Sequence, residues 1–595
     1  QLKHVKGSSC ARPILREACQ QFFGIANTAG LVDTIVRTIP SPKKAARGKI
    51  SRTYTGSILS NVGQSMVQCN AKGPLMVHIV KLYSSSSSPD GSSSFAAFGR
   101  IYSGTLKSGD TIQVLGEAYS YLEDEEDVMT ATVSSIYIPK GRAKVQVQCA
   151  TAGNWILIEG IDFAIARTAT LVDFHNNSNN DTNEEEGVHI FKPLSFPQCG
   201  FESTIKLAVE PLNPADLPKM VEGLRRITKS YPMAKTRVEE SGEHVLFGTG
   251  ELYLDCIMHD LRHFYSQDIE IKVADPAVAF RETVVDTSSL QCFADTPNKR
   301  NTLTFIAEPL SGEGLAEKLE AGKVDIVHWD NKKLGRYFQT QYDWDLLSSR
   351  SVWAFGPSPT HGTNILLDDT LPSEVDKNLL QTCKSSIVQG FQWAVREGPL
   401  CEEPIRSTQI KLLNVSLADQ PIHRGGGQII PTARRTVHSA ILTATPRIME
   451  PVYQLQIQCN NLSIVDAIQP LISKRRGHVV QDKAIAGTAI SIVKAFMPVI
   501  DSFGFETDLR TFTQGQAMVH SVLDHWAIVP GDPMDSSIVL HPLEPSPIQH
   551  LAREFIIKTR RRKGLPEDVS MNRFFDEKMK ALLLAQQKQQ QEEEG

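Results

Sequence analysis

Three consecutive glycines flanked by basic side chains form the segment of this sequence best suited to binding chemistry. His423 and Arg424 precede the glycines at 425–427, and Pro431 follows them. Glycines favour a tight, exposed loop whose backbone can approach a ligand closely, and proline favours the first position of a helix. We therefore predict a tip ahead of a helix starting at Pro431, offering N–H groups and basic side chains to an anion such as an RNA phosphate. The predicted tip residues are His423, Arg424, Gly425, Gly426, Gly427, Gln428, Arg434 and Arg435.

Two other interpretations of the tip stay open. Glycine runs are common in flexible turns and linkers. Alternatively, His423 could be a catalytic base, but the sequence places no serine or cysteine directly beside it. An isolated loop histidine is more often a surface contact, so an independent hydrolase using His423 is the weakest hypothesis. We expect no catalytic residue in this chain.

A second candidate for binding an anion is a basic cluster near the end of the chain. Its members are Lys558, Arg560, Arg561, Arg562 and Lys563. Such a cluster suits a nuclear-localisation signal or a patch that contacts phosphates. A solvated basic end of a helix is an equally good interpretation, since cations stabilise the negative helix terminus.

Motifs for binding nucleotides are missing from the sequence. A GTPase phosphate loop needs Gly-x4-Gly-Lys followed by serine or threonine, whereas the Gly-Lys pairs at 48–49 and 322–323 are each followed by an aliphatic residue. Asp501-Ser502-Phe503-Gly504 matches only the ends of a GTPase switch motif, and Gly248-Thr249-Gly250 lacks the third glycine of a dinucleotide fingerprint. We expect no cofactor in this chain.

Histidines and cysteines give only weak indications of a metal site. His259 and His263 stand four residues apart, but Asp260 occupies the position at which a zinc protease has its glutamate. A solvated helix face is the preferred interpretation. The ten cysteines are scattered, with no Cys-x2-Cys pair, which favours reduced thiols in the cytosol or nucleus. We expect no bound metal.

Length and composition indicate several ordinary globular domains. The chain has 595 residues, a formal charge of -5 and 41% hydrophobic residues, and about 150 residues per domain suggests roughly four domains. The sequence opens with Gln1 and not with methionine, so we expect a fragment. The longest apolar stretch, residues 484–500, is interrupted by glycine, lysine and proline and is predicted to be a buried strand.

The first third of the chain is predicted to hold helices and then a β-barrel. Residues 1–40 show helical periodicity and lead into a proline- and lysine-containing linker at 39–44, so residues 1–50 are predicted to be a helical segment and linker. Residues 51–195 contain short β-branched runs broken by glycine, as in a small barrel. The predicted strands are 74–83, 98–102, 111–115, 128–138 and 155–159, and the predicted polar loops are 84–94, 123–127 and 176–187.

Two later segments repeat one order of elements. Residues 196–277 show a βαββαβ pattern, which places two helices on one face of a four-stranded antiparallel sheet. Residues 451–540 show the same order, with strands at 452–459, 478–481 and 489–496 and a last helix at 514–526. The middle region, 278–450, mixes strands with helices, one of which is predicted to begin after Ser373. Residues 541–595 are a tail whose Gln/Glu-rich end, 585–595, is predicted to fray.

The domain order and several long strings resemble the translocase GTPases related to elongation factor 2. Residues 422–432 are similar to that family's domain IV tip, and Gly248-Thr249-Gly250-Glu251-Leu252 is similar to its domain III signature. Within the family, the resemblance is most specific to the branch found in the spliceosomal U5 small nuclear ribonucleoprotein. The strings that carry it are residues 342–347, 352–357, 368–376, 503–510 and 551–565.

This resemblance implies a fold, a function and partners. The fold is multidomain α+β, in which a β-barrel precedes two ferredoxin-like βαββαβ domains that flank a ribosomal-protein-S5-like α/β domain. The function is to relay the GTP or GDP state of a G domain, expected before residue 1 together with its GTP and Mg²⁺, during spliceosome activation and disassembly in the nucleus. The partners are U5 snRNA, the large U5 scaffold protein and, indirectly, the U5 helicase, with no membrane.

The alternative within the same family is a ribosomal translocase of the elongation factor 2 type. Translation factors have a His-Ala-Asp-Ala segment before a tip histidine that is converted to diphthamide. Here the approach is Leu417-Ala418-Asp419-Gln420-Pro421, which leaves open whether His423 is modified. The U5-type strings of the middle domain and tail favour the splicing branch.

Overall fold

We analysed a computed structural model that describes most of the chain. The described residues are 12–23, 31–85, 94–117, 119, 127–141, 143–173, 189–193, 203–239, 242–265, 269–312, 314–321, 324, 329, 331–358, 362–460, 462–535, 537–538, 546–570 and 573–594. Two compact units are present. The first comprises residues 1–195, 218–232 and 263–267, and the second comprises residues 196–217, 233–262 and 268–595.

The first unit combines five helices with ten strands among its described residues. The helices are α1 (Arg12–Phe23), α2 (Leu31–Thr38), α3 (Pro42–Thr53), α4 (Asn61–Gln68) and α5 (Leu217–Ser230, whose first residue belongs to the second unit). The strands are β1 (Met76–Ser85), β2 (Ser94–Ser103), β3 (Thr105–Lys107), β4 (Thr111–Leu115), β5 (Val128–Thr132), β6 (Ser135–Lys140), β7 (Ala143–Val147), β8 (Cys149–Thr151), β9 (Trp155–Glu159) and β10 (Ala169–Asp173).

Eight of these strands form one antiparallel sheet in the order β5-β4-β10-β1-β2-β9-β6-β7, and β3 pairs with β8. The β-branched residues alternate into a core that includes Val77, Ile79, Ile156 and Ile158, all fully buried. Most residues of the three predicted polar loops lie outside the described part of the chain. At the predicted linker, Ser41 caps the N-terminus of α3 and Pro42 begins that helix, so the second half of the linker is helical.

A four-stranded antiparallel sheet opens the second unit. It consists of β11 (Ile205–Pro211), β12 (Lys235–Val238), β13 (His244–Gly248) and β14 (Ile271–Val273), and the short β15 (Ala277–Val278) also pairs with β11. The strand order is β12-β13-β11-β14. Helix α6 (Glu251–Asp260) follows β13.

The middle of the second unit holds a mixed five-stranded sheet, β17-β18-β21-β20-β19, in which only β20 and β21 are parallel. The strands of this sheet are β17 (Cys292–Asp295), β18 (Thr302–Pro309), β19 (Val352–Gly356), β20 (Asn364–Asp368) and β21 (Thr408–Ser416). Strand β16 (Arg281–Val284) precedes them and pairs instead with residues 446–449. The helices of this region are α7 (Leu315–Glu320), α8 (Asn331–Tyr342), α9 (Leu346–Arg350), α10 (Lys377–Arg396) and α11 (Gly426–Leu442).

Helix α10 begins later than the sequence predicts. Asp376, predicted to be the third residue after a capping Ser373, is itself the N-cap and accepts the N–H groups of Asn378 and Leu379. A carboxylate in this position satisfies N–H groups that have no partner within the helix. The helix buries Leu380, Cys383 and Ile387 in the core shared with α11.

A second four-stranded antiparallel arrangement follows. It contains β22 (Pro446–Cys459), β23 (His478–Ala484), β24 (Ser491–Pro498) and β25 (Ala517–Ile528), with helices α12 (Leu462–Lys474) and α13 (Phe505–Phe512). Strand β22 lies between β24 and β25, and β23 pairs with β24. Strand β16 joins the same sheet by pairing with the first residues of β22, Pro446 to Met449. The order β23-β24-β22-β25 therefore repeats the order β12-β13-β11-β14.

The predicted helix at 514–526 is wrong, because these residues form most of strand β25. Gln514 and Gly515 have φ values of 52° and 77°, a left-handed conformation that ends α13. The apolar residues of this strand, Val519, Val522, Leu523 and Trp526, are spaced as in a helix. Val522 lies on the opposite face of the strand from Val519 and Leu523, and a β-bulge at Asp524 shifts the alternation so that Trp526 shares the face of Leu523 three residues earlier.

The tail packs on the core of the middle region. Helix α14 (Leu551–Arg562) buries Ile556 there and stacks Phe555 on Phe280, with 5.4 Å between ring centroids. Helix α15 (Glu577–Glu594) extends through residues 585–594, so the backbone there is helical where the composition predicts a frayed end. None of the described helices combines the length and apolar character that a membrane span requires.

Candidate nucleic-acid interface

The glycine tip is the start of helix α11 and not a loop ahead of it. A short 3-10 turn, Pro421–Arg424, leads to Gly425, the N-cap, and α11 begins at Gly426. Pro431 lies inside the helix, so its prediction as the first helical residue is wrong. The helix starts early because Ile429 is fully buried in the core, and such burial outweighs the low helix propensity of glycine.

The glycines leave an open backbone surface at this helix start. Gly425 has φ of -64°, and none of the three glycines adopts a left-handed conformation. A Cβ atom added at Gly425 or Gly427 would meet nothing within 4 Å. Neither conformation nor packing within the chain therefore requires glycine at these two positions, whereas close approach by a partner would.

His423 is fixed through its backbone. Its carbonyl accepts hydrogen bonds from Asn298 Nδ2 and Asn301 Nδ2, both at 2.8 Å, and its N–H donates to the Gln420 carbonyl at 3.1 Å. The imidazole is half-buried, and no described residue forms a hydrogen bond with it. A catalytic base needs an orienting partner and a nucleophile, so this geometry does not favour catalysis.

The three arginines near the tip have partners within the chain. Arg424 donates to the Ala418 and Asp419 carbonyls. Arg434 pairs with Glu397 at 2.8 Å and lies 4.1 Å from the ring centroid of Trp393. Arg435 pairs with Asp576 at 3.0 Å and donates to the Asp295 carbonyl.

The two helical arginines, Arg434 and Arg435, lie in the third turn of α11 and not in its first turns. Each is half-buried, with 23% of the Arg434 side chain and 34% of the Arg435 side chain exposed. A partner would therefore meet arginines that are already oriented by the protein.

The basic cluster of the tail divides into two groups. Arg560 is buried and donates to the carbonyls of Leu400, Pro566 and Asp568. Lys563 is nearly buried and lies 2.9 Å from Glu403. These two side chains stabilise the fold.

The remaining members of the cluster, Lys558, Arg561 and Arg562, are exposed. Lys558 pairs with Glu554 and Arg561 with Glu567. A cluster that is partly buried and helical is less suited to be a linear nuclear-localisation signal than its sequence suggests.

The structure brings the tip helix and the tail together around one cavity of about 250 Å³. Arg434 and Arg435 line it from α11, Arg560 from α14, and Arg573 from the segment before α15. Glu402 is the one carboxylate in this lining. Burial lowers the pKa of His438, another lining residue, to about 4, so this ring is neutral at physiological pH. The charged part of the wall therefore consists of four arginines and one carboxylate, set among apolar side chains.

Sequence reasoning missed Arg573 and the cavity itself, because they depend on the tail folding back onto α11. It also missed Trp393, whose side chain lies beneath Arg434 and remains 41% exposed. An exposed tryptophan next to arginines is a signal for nucleic-acid binding. The sequence does not reveal this contact, because Trp393 lies on α10 and Arg434 lies on α11.

A buried charge cluster holds the elements around this cavity. Glu282 is fully buried and accepts the N–H groups of Leu400, Cys401 and Glu403 at 2.9, 2.9 and 3.2 Å. Burial raises its pKa to about 7, and the three N–H donors offset only part of that effect. Glu403 lies 2.5 Å from Lys206 of β11.

The metal interpretation of His259 gains no support from its surroundings. His259 is 63% exposed, and an oxygen of Asp260 lies 3.4 Å from its Nδ1. In the described part of the chain, no group of three or more His, Cys, Asp or Glu side chains is arranged to hold a metal ion.

Four models of elongation-factor domains match the chain. Elongation factor Tu domain 2 matches residues 95–172, Elongation Factor G domain III matches 202–273, Elongation factor G domain IV matches 322–445, and the Elongation factor G C-terminus matches 447–537. The matches follow one another along the chain as domain 2, domain III, domain IV and the C-terminus, in agreement with the domain order that the sequence resemblance implies.

Three curated relatives match 96% of the chain. The 110 kDa U5 small nuclear ribonucleoprotein component CLO of Arabidopsis thaliana is 56% identical over 568 residues, which cover 55% of it. The 109 kDa component GFL of the same plant is also 56% identical, over 56% of its length. Pre-mRNA-splicing factor cwf10 of Schizosaccharomyces pombe is 50% identical over 570 residues, 56% of its length.

The chain thus spans about half the length of the relatives that it matches. An identity of 50% or more across 96% of a 595-residue chain leaves no room for a chance likeness, and the domain matches agree with it. The chain therefore belongs to the family of elongation-factor-related proteins that includes these U5 small nuclear ribonucleoprotein components.

Proposed function

We propose that the chain is a coupling and binding module of a U5 small nuclear ribonucleoprotein component in pre-mRNA splicing. It relays the GTP or GDP state of a G domain to protein and RNA contacts during spliceosome activation and disassembly, in the nucleus. The identity of 56% to two U5 components over 96% of the chain carries this proposal. The name of the relative cwf10, a pre-mRNA-splicing factor, supports it over a role in translation.

The proposal assigns GTP and Mg²⁺ to a domain outside these 595 residues. The absence of a phosphate-binding loop from the sequence supports this assignment, because the loop N–H groups, the lysine and the hydroxyl on Mg²⁺ act together. Equilibrium binding of labelled GTP to this chain and to the full-length protein tests it. We expect only the longer protein to bind. Stoichiometric nucleotide uptake by this chain would refute the assignment.

We further propose a ferredoxin-like arrangement for both four-stranded sheets and an S5-like arrangement for the middle region. The common strand order β12-β13-β11-β14 and β23-β24-β22-β25 supports the ferredoxin-like arrangement. In a split βαββαβ unit the first and third strands lie at the centre of the sheet, with the fourth strand beside the first and the second beside the third. Rigid domains of this kind move as bodies, which suits them to transmit a change in nucleotide state.

The direct partners in this proposal are U5 snRNA at the tip and the large U5 scaffold protein, with the U5 helicase reached through that scaffold. The open backbone at Gly425 and Gly427 and the cationic cavity behind them support an RNA contact. Backbone N–H groups and arginines position nucleic acids through their phosphates. The exposed Ile422, at 81%, offers an apolar contact beside them.

Replacing Arg424, Arg434 and Arg435 together by glutamine tests this RNA contact. We expect weaker RNA binding and a shallower dependence on salt, by roughly 0.7 in slope for each phosphate of a single strand that the variant no longer neutralises. Arg510→Gln is the control, because Arg510 is an exposed arginine paired with Glu506 on α13. Unchanged affinity and salt slope in the triple variant would make the tip a protein-docking element.

A further inference from the structure

The sheet β23-β24-β22-β25 has two faces of different chemistry. Helices α12 and α13 pack on one face, where Leu455, Ile457 and Val493 are buried. Side chains alternate between the faces of a strand, so the residues between these three lie on the other face. That face is exposed at Gln456, Gln458 and Lys494.

The strand register identifies the side chains on the open part of this face, beyond the buried Val452 and Pro498. Residues opposite one another in an antiparallel pair point to the same side. The members are Gln454, Gln456 and Gln458 on β22, Ile492, Lys494 and Phe496 on β24, His478, Gln481 and Lys483 on β23, and Met518, His520, Val522 and His525 on β25.

No member of the open face is acidic, and two are lysines. Asp482 of β23 lies opposite the buried Val493 and so belongs to the other side of the sheet. Asp524 is the extra residue of the β-bulge in β25, and its carboxylate lies 2.8 Å from His525 Nδ1. The two lysines thus supply the charge of the face, with the Asp524 carboxylate at its β25 edge, and these lysines complement a polyanion.

Three aromatic rings cross the sheet in a row. The His478 and Phe496 ring centroids are 5.6 Å apart, and those of Phe496 and His525 are 5.3 Å apart. The His478 residue is exposed, and 41% of the His525 side chain is exposed. Phenylalanine and histidine are side chains on which unpaired RNA bases stack.

The glutamines beside this row have hydrogen-bonding capacity to spare. In the part of the chain that the structure describes, the side-chain amides of Gln454, Gln456 and Gln458 form no hydrogen bond with another protein group. Each amide offers a carbonyl oxygen and two N–H donors. These groups match the base edges that single-stranded RNA exposes.

We propose that this open face binds single-stranded RNA. Bases stack on the row of His478, Phe496 and His525, the glutamine amides of β22 bond to base edges, and Lys483 and Lys494 contact phosphates. Duplex RNA is recognised by its shape across a groove, which a broad sheet face does not enter. A protein-docking face would centre on a cluster of large apolar anchors, whereas the two central strands of this face carry three glutamines and a lysine beside Ile492 and Phe496.

This inference concerns a surface separate from the tip and does not depend on the tip contact. Fluorescence anisotropy with a labelled 12-nucleotide single-stranded RNA tests it on the whole chain. We expect Lys483→Glu combined with Lys494→Glu to weaken binding by roughly tenfold or more and to lower the salt slope by about 1.4, at roughly 0.7 for each of two phosphates of a single strand. Phe496→Leu, which keeps the apolar volume but removes the stacking surface, should weaken binding severalfold.

Lys474→Glu is the matched control, because Lys474 is exposed on α12, which covers the opposite face of the sheet. It should bind RNA like the parent chain, and the thermal unfolding transitions of all variants should coincide. Parent-like affinity of the double variant would overturn the proposal.

Photo-crosslinking with 4-thiouridine RNA separates the two RNA surfaces. Crosslinked peptides within residues 454–458 and 492–496 support the sheet face. Crosslinks confined to residues 423–435 would refute the sheet face and leave the tip contact standing, whereas crosslinks confined to the sheet would refute the tip contact.

Discussion

Two buried glutamates with opposite pKa shifts lie side by side in the second unit. Burial opposes ionisation of Glu403, but Lys206 and Lys563 outweigh it and hold its pKa below the usual value. Glu282 accepts N–H groups from the same short loop, and burial raises its pKa to about 7. One charge cluster therefore connects strand β11, the loop after α10 and helix α14.

Replacing Glu403 by alanine tests this cluster. The variant leaves Lys206 and Lys563 without their common partner, and breaking a buried ion pair on one side costs about 3–5 kcal/mol. We expect a clear drop in the urea concentration at the midpoint of unfolding of the second unit, with unfolding detected by tryptophan fluorescence. Glu567→Ala, which breaks the exposed pair with Arg561, should change stability by less than about 1 kcal/mol. Equal effects of the two variants would contradict the account.

Glu282 predicts a pH dependence with a definite sign. Its pKa is about 7 in the folded chain against an ordinary value of 4.5, so between these values the folded state binds the extra proton. The contribution of Glu282 to the free energy of unfolding is therefore greatest below pH 4.5. This contribution, about 3 kcal/mol, is lost as the pH rises through 7. Measured at pH 5 and pH 8, Glu282→Gln should lose less stability than the parent chain. Parallel losses would show that Glu282 does not titrate in this range.

At the scale of elements, helix α11 carries both the core and the tip. Ile429→Ala should destabilise the chain by about 2–5 kcal/mol, because Ile429 is fully buried. Gly427→Ala should instead leave stability unchanged or raise it by up to about 1 kcal/mol, since the site is helical and open. If RNA approaches the backbone closely, Gly427→Ala weakens RNA binding in spite of this. Parent-like RNA affinity in Gly427→Ala would exclude such close approach.

Elements with strong local patterns can be predicted from the sequence. The predicted boundaries of strands β4 and β9 match the observed ones, because alternating β-branched residues end there at glycines or polar turns. Strand β25 cannot be predicted in this way, since its apolar residues do not alternate: Val522 and Leu523 are adjacent on opposite faces, and the bulge at Asp524 shifts the register before Trp526. The start of α11 is also missed, because the burial of Ile429 depends on distant strands and helices.

The candidate site is predictable only in part. The tip residues and the tail cluster are visible as basic segments, but their convergence on one cavity requires α14 and the tail to pack against α10 and α11. Arg573 and Trp393 have no local sequence signal that links them to the tip. Ion pairing of Arg434 with Glu397 and of Arg435 with Asp576 likewise arises from tertiary contacts.

At the scale of the whole molecule, the second unit connects its two four-stranded sheets through specific bonds. Tyr453 of β22 donates to the Thr249 carbonyl at 2.9 Å, and the Gly504 N–H donates to Glu251 at 3.1 Å. Together with the Glu403 cluster, these bonds join the first sheet to the second and to the loop after α10. The coupling role proposed above requires such connections between domains.

Affinity purification of the tagged chain from nuclear extract, followed by sequencing of the bound RNA, tests the central claim most directly. If the chain is a coupling module of the U5 particle, we expect strong enrichment of U5 snRNA over ribosomal RNA. We expect less enrichment with the Glu403→Ala variant, because the charge cluster that joins its sheets is lost. Enrichment of ribosomal RNA, with U5 snRNA at background level, would contradict the account.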